Sequence, residues 1–197
     1  EDPDSPRALF LPAGMGHRLR DETAELVEDL HEQVPKAFEG KDYEEQRRST
    51  AESHQERKQE LLDQLEGLAR ERGFELKNTP MGFRTVPIRD RKPLSQEEYE
   101  AMEEGPRSEL DDQMEQLEKE VREVLAEVKA VEKALKEQLR DLNQQVAMNV
   151  LGTLMVDLKR TYAEHPSVGA YLQAVQKDIV DNIEHFRETE EQPTPIP

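Results

Sequence analysis

The sequence predicts a mainly α-helical fold, in which a helical base carries a long antiparallel coiled-coil arm tipped by a small β-hairpin. Three observations predict it. Within residues 107–164, the apolar residues from Leu110 to Leu135 recur at alternating steps of four and three, the heptad pattern of a coiled-coil helix. Residues 41–73 contain no proline and only one interior glycine, which favours a second long helix. Between these stretches, two short segments alternate apolar and polar residues, which is typical of a β-hairpin.

The composition favours narrow apolar stripes over a thick core. Charged residues make up 37% of the 197 residues and the net charge is -18, whereas about 25% of the residues in soluble domains are charged. An acidic surface repels phosphate backbones and anionic lipids, so we expect neither a nucleic-acid nor a membrane partner. The absence of cysteine excludes disulfides and thiolate zinc sites, and we expect a cytoplasmic location.

The N-terminal segment and the first base helix are expected within residues 1–40. The strand-like run 8–11 lies among three prolines, and we expect it to pair with a sheet elsewhere in a longer protein. From Gly16 to Val34, apolar residues recur at three- and four-residue steps, which predicts an amphipathic helix. Pro35 is expected to end or kink this helix. The chain begins without methionine, and we expect it to be a segment of a longer protein.

The arm is expected over residues 41–145. The seam of its first helix is polar in the first half and apolar in the second, and Gly73 is a suitable C-terminal cap. His54, in the polar half, is interpreted as a hydrogen-bonded residue that helps to fix the register of the seam. The seam of the return helix consists of Leu110, Met114, Leu117, Val121, Val124, Val128, Val131 and Leu135.

The tip of the arm is predicted as a β-hairpin over about 74–89. Turn-forming residues lie near its middle, and Pro87 and Pro93 are expected to bound its second strand. Ser95 begins a capping box that predicts a short helix. The pair Gly105-Pro106 is expected to break the chain before the long helix.

This hairpin concentrates apolar residues in a highly charged chain. A two-stranded hairpin cannot bury both of its faces, so we expect part of its apolar surface to remain exposed and to contact unfolded protein substrates. The predicted contact residues are Phe74, Leu76, Pro80, Met81, Phe83 and Val86. The alternative is that Phe74 and Phe83 only close the end of the coiled coil.

A helical base is expected over residues 146–187. After Val146 the apolar arc of the long helix widens, which predicts packing against the first and last helices. The long helix is expected to stop at His165-Pro166, and a last helix is expected from Ser167 to about Phe186. Residues 188–197 are polar and rich in proline, which is typical of disorder.

The sequence contains no recognisable catalytic, cofactor or metal constellation. There is no G-x-x-x-x-G-K-[ST] loop to hold a nucleotide phosphate, and we interpret Gly14-Met15-Gly16 as a turn before a helix. The five histidines lack zinc-binding spacing, and no serine has a lysine at helical spacing. We therefore predict that this fragment is not itself an enzyme.

Several segments, taken in order, resemble Lon-like ATP-dependent proteases of the LonB/LonC kind. Residues 2–7 and 11–16 (DPDSPR and LPAGMG) resemble the family's DPDRPR and LPAGRG. Residues 34–39 (VPKAFE) resemble its IPxAFE, and residues 79–83 match its TPMGF. Parts of residues 146–186 resemble its VA…AYLEAV…DVLENLDxF.

The resemblance implies a helical insertion within an AAA+ module, with the catalytic serine–lysine dyad in a separate domain. It implies ATP and Mg²⁺ for the parent but no cofactor in this fragment. The implied partners are unfolded protein substrates and the remainder of the parent protease, which is expected to be a homohexamer. Met15 stands where the family often has arginine, so contacts of that arginine are not carried over. The expected function is a non-catalytic substrate-recognition and assembly region; the alternative is a free-standing coiled-coil scaffold or holdase-type chaperone.

Overall fold

A computed structural model describes residues 8–79, 82–89 and 92–187, and most of them are helical. The helices are α1 (Met15–Phe38), α2 (Lys41–Glu71), α3 (Gln96–Glu100), α4 (Glu104–Leu154), α5 (Val156–Thr161), α6 (Pro166–Asp181) and α7 (Glu184–Arg187). The strands are β1 (Phe74–Thr79), β2 (Gly82–Arg89) and β3 (Lys92–Pro93). The predicted mainly α fold with a small β-hairpin is confirmed. The disorder predicted for residues 188–197 concerns residues outside the described part.

The chain divides into two compact units. The first combines Glu1–Arg48 with Gln138–Pro197, and the second is Ser49–Glu137. The predicted base and arm boundaries, after residues 40 and 145, remain a prediction.

The core of the first unit joins α1 to the C-terminal helices. Leu30 of α1, Leu151 of α4 and Leu172 of α6 are buried in one apolar cluster. The predicted packing of the wide apolar arc against the first and last helices is therefore confirmed. The strand-like run 8–11 has no regular secondary structure; two of its leucines pack on this cluster, whereas Phe10 is 90% exposed.

A hydrogen-bonded group of polar residues lies at the side of this core. The Tyr162 ring is 1% exposed, and its hydroxyl donates to Oε2 of Glu22 at 2.7 Å. The Arg18 guanidinium donates to the other oxygen of the same carboxylate at 2.8 Å. Burial alone would raise the pKa of Glu22, but the hydrogen bonds from Arg18 and Tyr162 outweigh it and lower that pKa below its ordinary value.

Pro35 does not end α1, so the first of the two predicted outcomes is wrong, and the kink stays a prediction. The helix continues through Pro35 to Phe38, and the Glu39 N–H donates to the Pro35 carbonyl at 2.9 Å. Proline removes its own N–H from the ladder and its ring crowds the carbonyl four residues earlier, yet neither effect ends this helix. The extra turn brings Phe38 into the core, one turn after the buried Val34, where its ring meets the Tyr43 ring edge-on at 4.8 Å between centroids.

The long helix α4 differs from its prediction at both ends. Gly105-Pro106 does not break the chain but lies in the first turn of α4, where no N–H is needed for the ladder. The helix is interrupted at Met155, well before the predicted stop at His165. The Met155 N–H still donates to Leu151 at 2.9 Å, and its carbonyl accepts from Lys159 at 3.0 Å, so helical hydrogen bonding persists through the interruption.

Within the second unit, α2 and α4 run antiparallel. Lys58 Nζ donates to Glu132 Oε1 at 2.6 Å, and Arg72 Nη1 donates to Glu120 Oε1 at 3.0 Å. The residue number of the partner on α4 therefore falls, from 132 to 120, as the residue number along α2 rises from 58 to 72. Every residue of the predicted α4 seam is buried or half-buried, which confirms the seam. Nδ1 of His54 bonds the Thr50 carbonyl of its own helix at 2.8 Å, so the expected role in fixing the register is not supported by this bond.

The three strands form one antiparallel sheet in the order β1-β2-β3. The prediction that Pro87 and Pro93 bound the second strand is wrong, because Pro87 lies inside β2 and Pro93 belongs to the unpredicted β3. Proline has no N–H to donate to the ladder, and the carbonyl of Pro87 accepts a hydrogen bond from the Leu94 N–H at 2.8 Å. The predicted capping box is confirmed: Ser95 Oγ accepts from the Glu98 N–H, and the Glu98 carboxylate accepts from the Ser95 N–H at 2.9 Å.

Gly73 connects α2 to β1 with a left-handed backbone, φ +81°. Its N–H donates to the Arg70 carbonyl at 3.1 Å, and its carbonyl accepts from the Ile88 N–H at 2.8 Å. The predicted C-terminal cap is confirmed, and it also places the start of the hairpin.

We expect Gly73→Ala to lower the free energy of unfolding by about 1–2 kcal/mol, because a Cβ disfavours the left-handed conformation. Gly67→Ala is the matched control. Gly67 lies inside α2, and a Cβ there meets nothing within 4 Å, so a gain of about 0.5–1 kcal/mol is expected. Urea denaturation followed by circular dichroism measures both. Equal effects of the two substitutions would contradict the cap assignment.

Candidate protein-contact site

The sheet rests on an apolar cluster of the second unit. Leu65 and Ala69 of α2, Leu117 and Val121 of α4, and Phe74 of β1 are its buried members. These residues form one cluster because the apolar half of the α2 seam lies directly before β1 in the chain, which brings Phe74 next to it. Half-buried residues surround them: Leu68, Leu76, Phe83, Leu110, Met114, Val124 and Leu125.

The register of β1 and β2 decides which face each hairpin residue occupies. Leu76 is opposite Thr85, and Asn78 is opposite Phe83. Opposed residues share a face and alternate residues share a face, so the side chains of Leu76, Thr85 and Phe83 lie on the same face as Phe74. Val86 lies on the other face.

The predicted contact residues therefore do not form one surface. Phe74 is 1% exposed and is a core residue, so its prediction as a contact residue is corrected. The alternative reading, in which Phe74 closes the end of the helix pair, describes it better. Leu76 and Phe83 are half-buried on the cluster, and Val86 is half-buried on the opposite face. For these three residues a substrate contact remains a prediction. Pro80 and Met81 lie outside the described residues.

A cleft of about 360 Å³ lies beside β2. Four consecutive β2 residues, 84–87, form one wall, and Leu94, Tyr99, Leu110 and Met114 contribute to the other. The cleft was not predicted from the sequence, because it forms only when the chain after β2 folds back and places Leu94 and the following residues beside β2. The signal available was Leu94, an apolar residue directly after a proline and directly before the capping box.

The strands are locally basic, although the chain is acidic. They carry Lys77, Arg84, Arg89 and Lys92 against a single carboxylate, Glu75. The pKa of Glu98 in α3 is lowered, chiefly by hydrogen bonds from Ser95 and further by the charges of Arg89 and Lys92. This part of the chain therefore offers positive charge beside apolar surface.

The acidic group in the cleft wall already has a partner. The Tyr99 hydroxyl donates to Oδ1 of Asp111 at 2.7 Å, and this hydrogen bond raises the pKa of Tyr99. Arg84 is exposed and has no ion-pair partner among the described residues. Of the charged residues lining the cleft, Arg84 is thus the one left to meet an incoming anion.

Within residues 8–79, 82–89 and 92–187, no group of three or more histidines or carboxylates is arranged to hold a metal ion. We therefore assign none of these residues to the Mg²⁺ that the resemblance implies for the parent. None of the described helices is long and apolar enough to span a membrane.

Comparison with known protein families finds a similarity at the N-terminal end of the chain. A family model described as "Lon-like LonC helical domain" matches residues 1–26. No curated protein sequence matches the chain. The described part of the matched segment contains Leu11, which packs on the first core, and the beginning of α1 with Leu19 and Leu26. The N-terminal segment of this chain is similar to the helical region of Lon-like proteases.

Proposed function

We propose that this chain is a non-catalytic substrate-recognition and assembly region of a Lon-like ATP-dependent serine protease, and that its hairpin contacts unfolded protein substrates. The similarity over residues 1–26 supports the link to Lon-like proteases. The ordered resemblance along the rest of the chain supports the LonB/LonC kind and an insertion in an AAA+ module. In this proposal the parent is a cytoplasmic homohexamer. Its other parts bind ATP and Mg²⁺ and contain the serine–lysine dyad.

The observation that supports the contact role is the half-buried pair Leu76 and Phe83. Both pack on the cluster of the second unit, yet neither is fully covered. They extend an apolar core to the surface of the second unit. Such a surface suits an unfolded chain, because unfolded proteins expose apolar side chains that folded proteins bury.

We expect Leu76→Ser with Phe83→Ser to weaken binding of an unfolded protein by at least about tenfold, or about 1.4 kcal/mol. The ligand is a reduced, carboxymethylated protein that cannot refold, and fluorescence anisotropy measures its binding to the 197-residue chain. Val27→Ser is the matched control, because Val27 is an exposed apolar residue of the first unit. Circular dichroism checks that every variant is folded at the temperature used. Unchanged affinity in a folded double variant, or an equal loss in Val27→Ser, would overturn the contact assignment.

A further inference from the structure

The strand β2 has a partner on both sides only at its C-terminal end. β1 pairs with it from Phe74↔Pro87 to Thr79↔Gly82, whereas β3 pairs only with Ile88 and Arg89. The other edge of β2, over residues 82–86, has no strand partner within the described chain. We call this the free edge.

The main-chain hydrogen bonds show which residues face the free edge. The Ile88 N–H donates to the Gly73 carbonyl, and the Gly82 carbonyl accepts from Thr79 Oγ1, so even-numbered residues of β2 point towards β1. Directions alternate along a strand. Phe83 and Thr85 therefore direct their N–H and C=O groups outward, where the described residues provide no strand to pair with them.

The cleft described above lies beside this edge. Its β2 wall is made of residues 84–87, which point alternately to the two faces of the sheet. Only a position at the edge of the strand brings all four to one cleft. Its volume of about 360 Å³ is within the range of about 300–1,000 Å³ that is usual for ligand-binding clefts.

The unpaired main-chain groups and the charge together specify the occupant. Outward N–H and C=O groups on alternate residues are matched by an extended polypeptide. Arg84, which lines the cleft without an ion-pair partner among the described residues, favours an acidic side chain beside it. A second copy of this chain is disfavoured, because antiparallel pairing of two such edges about Arg84 would place the two like-charged Arg84 residues opposite each other.

We propose that the free edge of β2 binds an extended, acidic segment of an unfolded protein as an added strand, with Phe83 and Thr85 supplying main-chain hydrogen bonds and Arg84 pairing with a carboxylate. This inference rests on the proposed function and narrows it to main-chain recognition. The side chains lining the cleft then add apolar contact beyond the hydrogen bonds.

The test uses synthetic nine-residue peptides of alternating threonine and valine with one central aspartate, titrated against the full 197-residue chain. Two further peptides carry N-methyl groups on alternate residues, in the two possible patterns. Only every second peptide N–H faces the strand it joins, and the aspartate holds the register at Arg84. We expect one pattern to abolish binding and the other to retain it. Equal effects of both patterns overturn the proposal.

Variants of the chain test the same edge from the other side. Thr85→Pro removes an outward N–H without removing a β1–β2 hydrogen bond, and we expect at least about fivefold weaker peptide binding, the loss of one hydrogen bond. Thr85→Val keeps the N–H and should retain the binding that Thr85→Pro loses. Arg84→Glu should reverse the preference from aspartate to a lysine-containing peptide. If Thr85→Pro does not fold, the binding of the two N-methylated peptides to the natural chain tests the proposal instead.

The outcomes separate this inference from the proposed function. Binding of the unfolded protein that depends on Leu76 and Phe83 but not on Thr85 or on the N-methyl pattern overturns the edge and leaves the proposed function intact. Peptide binding at the edge without any binding of unfolded protein overturns the proposed function. A dimer in analytical ultracentrifugation that Thr85→Pro abolishes assigns the edge to a second copy and overturns this inference.

Discussion

Leu117→Asp is expected to lower the free energy of unfolding by about 3–5 kcal/mol, because it places an unpaired carboxylate in the apolar cluster of the second unit. Leu117 is 0% exposed and packs with Leu65, Phe74 and Val121. Glu120, three residues further along α4, is already paired with Arg72 at 3.0 Å. The new carboxylate has no partner and must either stay desolvated or separate the two helices.

Urea denaturation followed by circular dichroism measures this loss. Leu117→Ala leaves the cavity without the charge, so within the range of about 2–5 kcal/mol usual for such substitutions it should cost less than Leu117→Asp. Gln116→Asp, one position earlier on the exposed side of α4, is the matched charge control. It should cost less than about 1 kcal/mol, because it adds only two like-charge pairs, with Asp112 and Glu120. A loss below about 1 kcal/mol for Leu117→Asp would mean that this seam is not the core of the second unit.

Tyr162→Ala is expected to lower the free energy of unfolding of the first unit by about 3–5 kcal/mol, because it removes a fully buried ring from the cluster. Tyr162→Phe keeps the ring and removes only the hydroxyl that donates to Glu22. Its expected cost is about 1.5 kcal/mol, the lower end for a bond to a charged group, since Arg18 still holds the carboxylate. Tyr171→Phe on the partly exposed ring of α6 should be neutral. Equal costs for the alanine and phenylalanine variants of Tyr162 would contradict burial as the main contribution.

The hydrogen bond from the Tyr162 hydroxyl to Glu22 also makes the stability of the first unit depend on pH. The folded pKa of Glu22 is lowered below its ordinary 4.5, so its contribution to stability is complete above that pH and is lost as the pH falls through the folded pKa. Tyr162→Phe removes one of the hydrogen bonds that lower this pKa. We therefore expect the phenylalanine variant to lose less stability than the natural chain between neutral pH and acid. A steeper acid loss in the variant would contradict the assignment.

Local patterns predicted the elements that depend on neighbours in sequence. The heptad residues from Leu110 to Leu135 line a seam, Gly73 caps α2, and Ser95 begins a capped helix. Each of these depends on side-chain spacing or on the conformational preference of one residue. The same reasoning failed at Pro35 and Pro106, because a proline removes one hydrogen bond, and packing or a first-turn position can make that bond dispensable.

The candidate site was predicted only in part. The sequence identified an apolar hairpin over 74–89, but it could not separate buried Phe74 from half-buried Leu76 and Phe83. That separation depends on which face of the sheet meets the helix pair. Val86 lies on the opposite face of the sheet from these residues. The strand register alone decides this, because a shift of one residue would exchange the two faces.

The helical class of the chain, the seam of α4 and the hairpin could all be predicted from the amino-acid sequence. These follow from periodicity, capping and turn chemistry, which act over a few residues. The burial of Phe74 and the position of β3, which pairs with just the end of β2 and leaves the cleft beside Arg84, emerge from the folded chain. Those features depend on contacts between α2, the strands and α4, whose residues are far apart in the chain, and no local pattern encodes them.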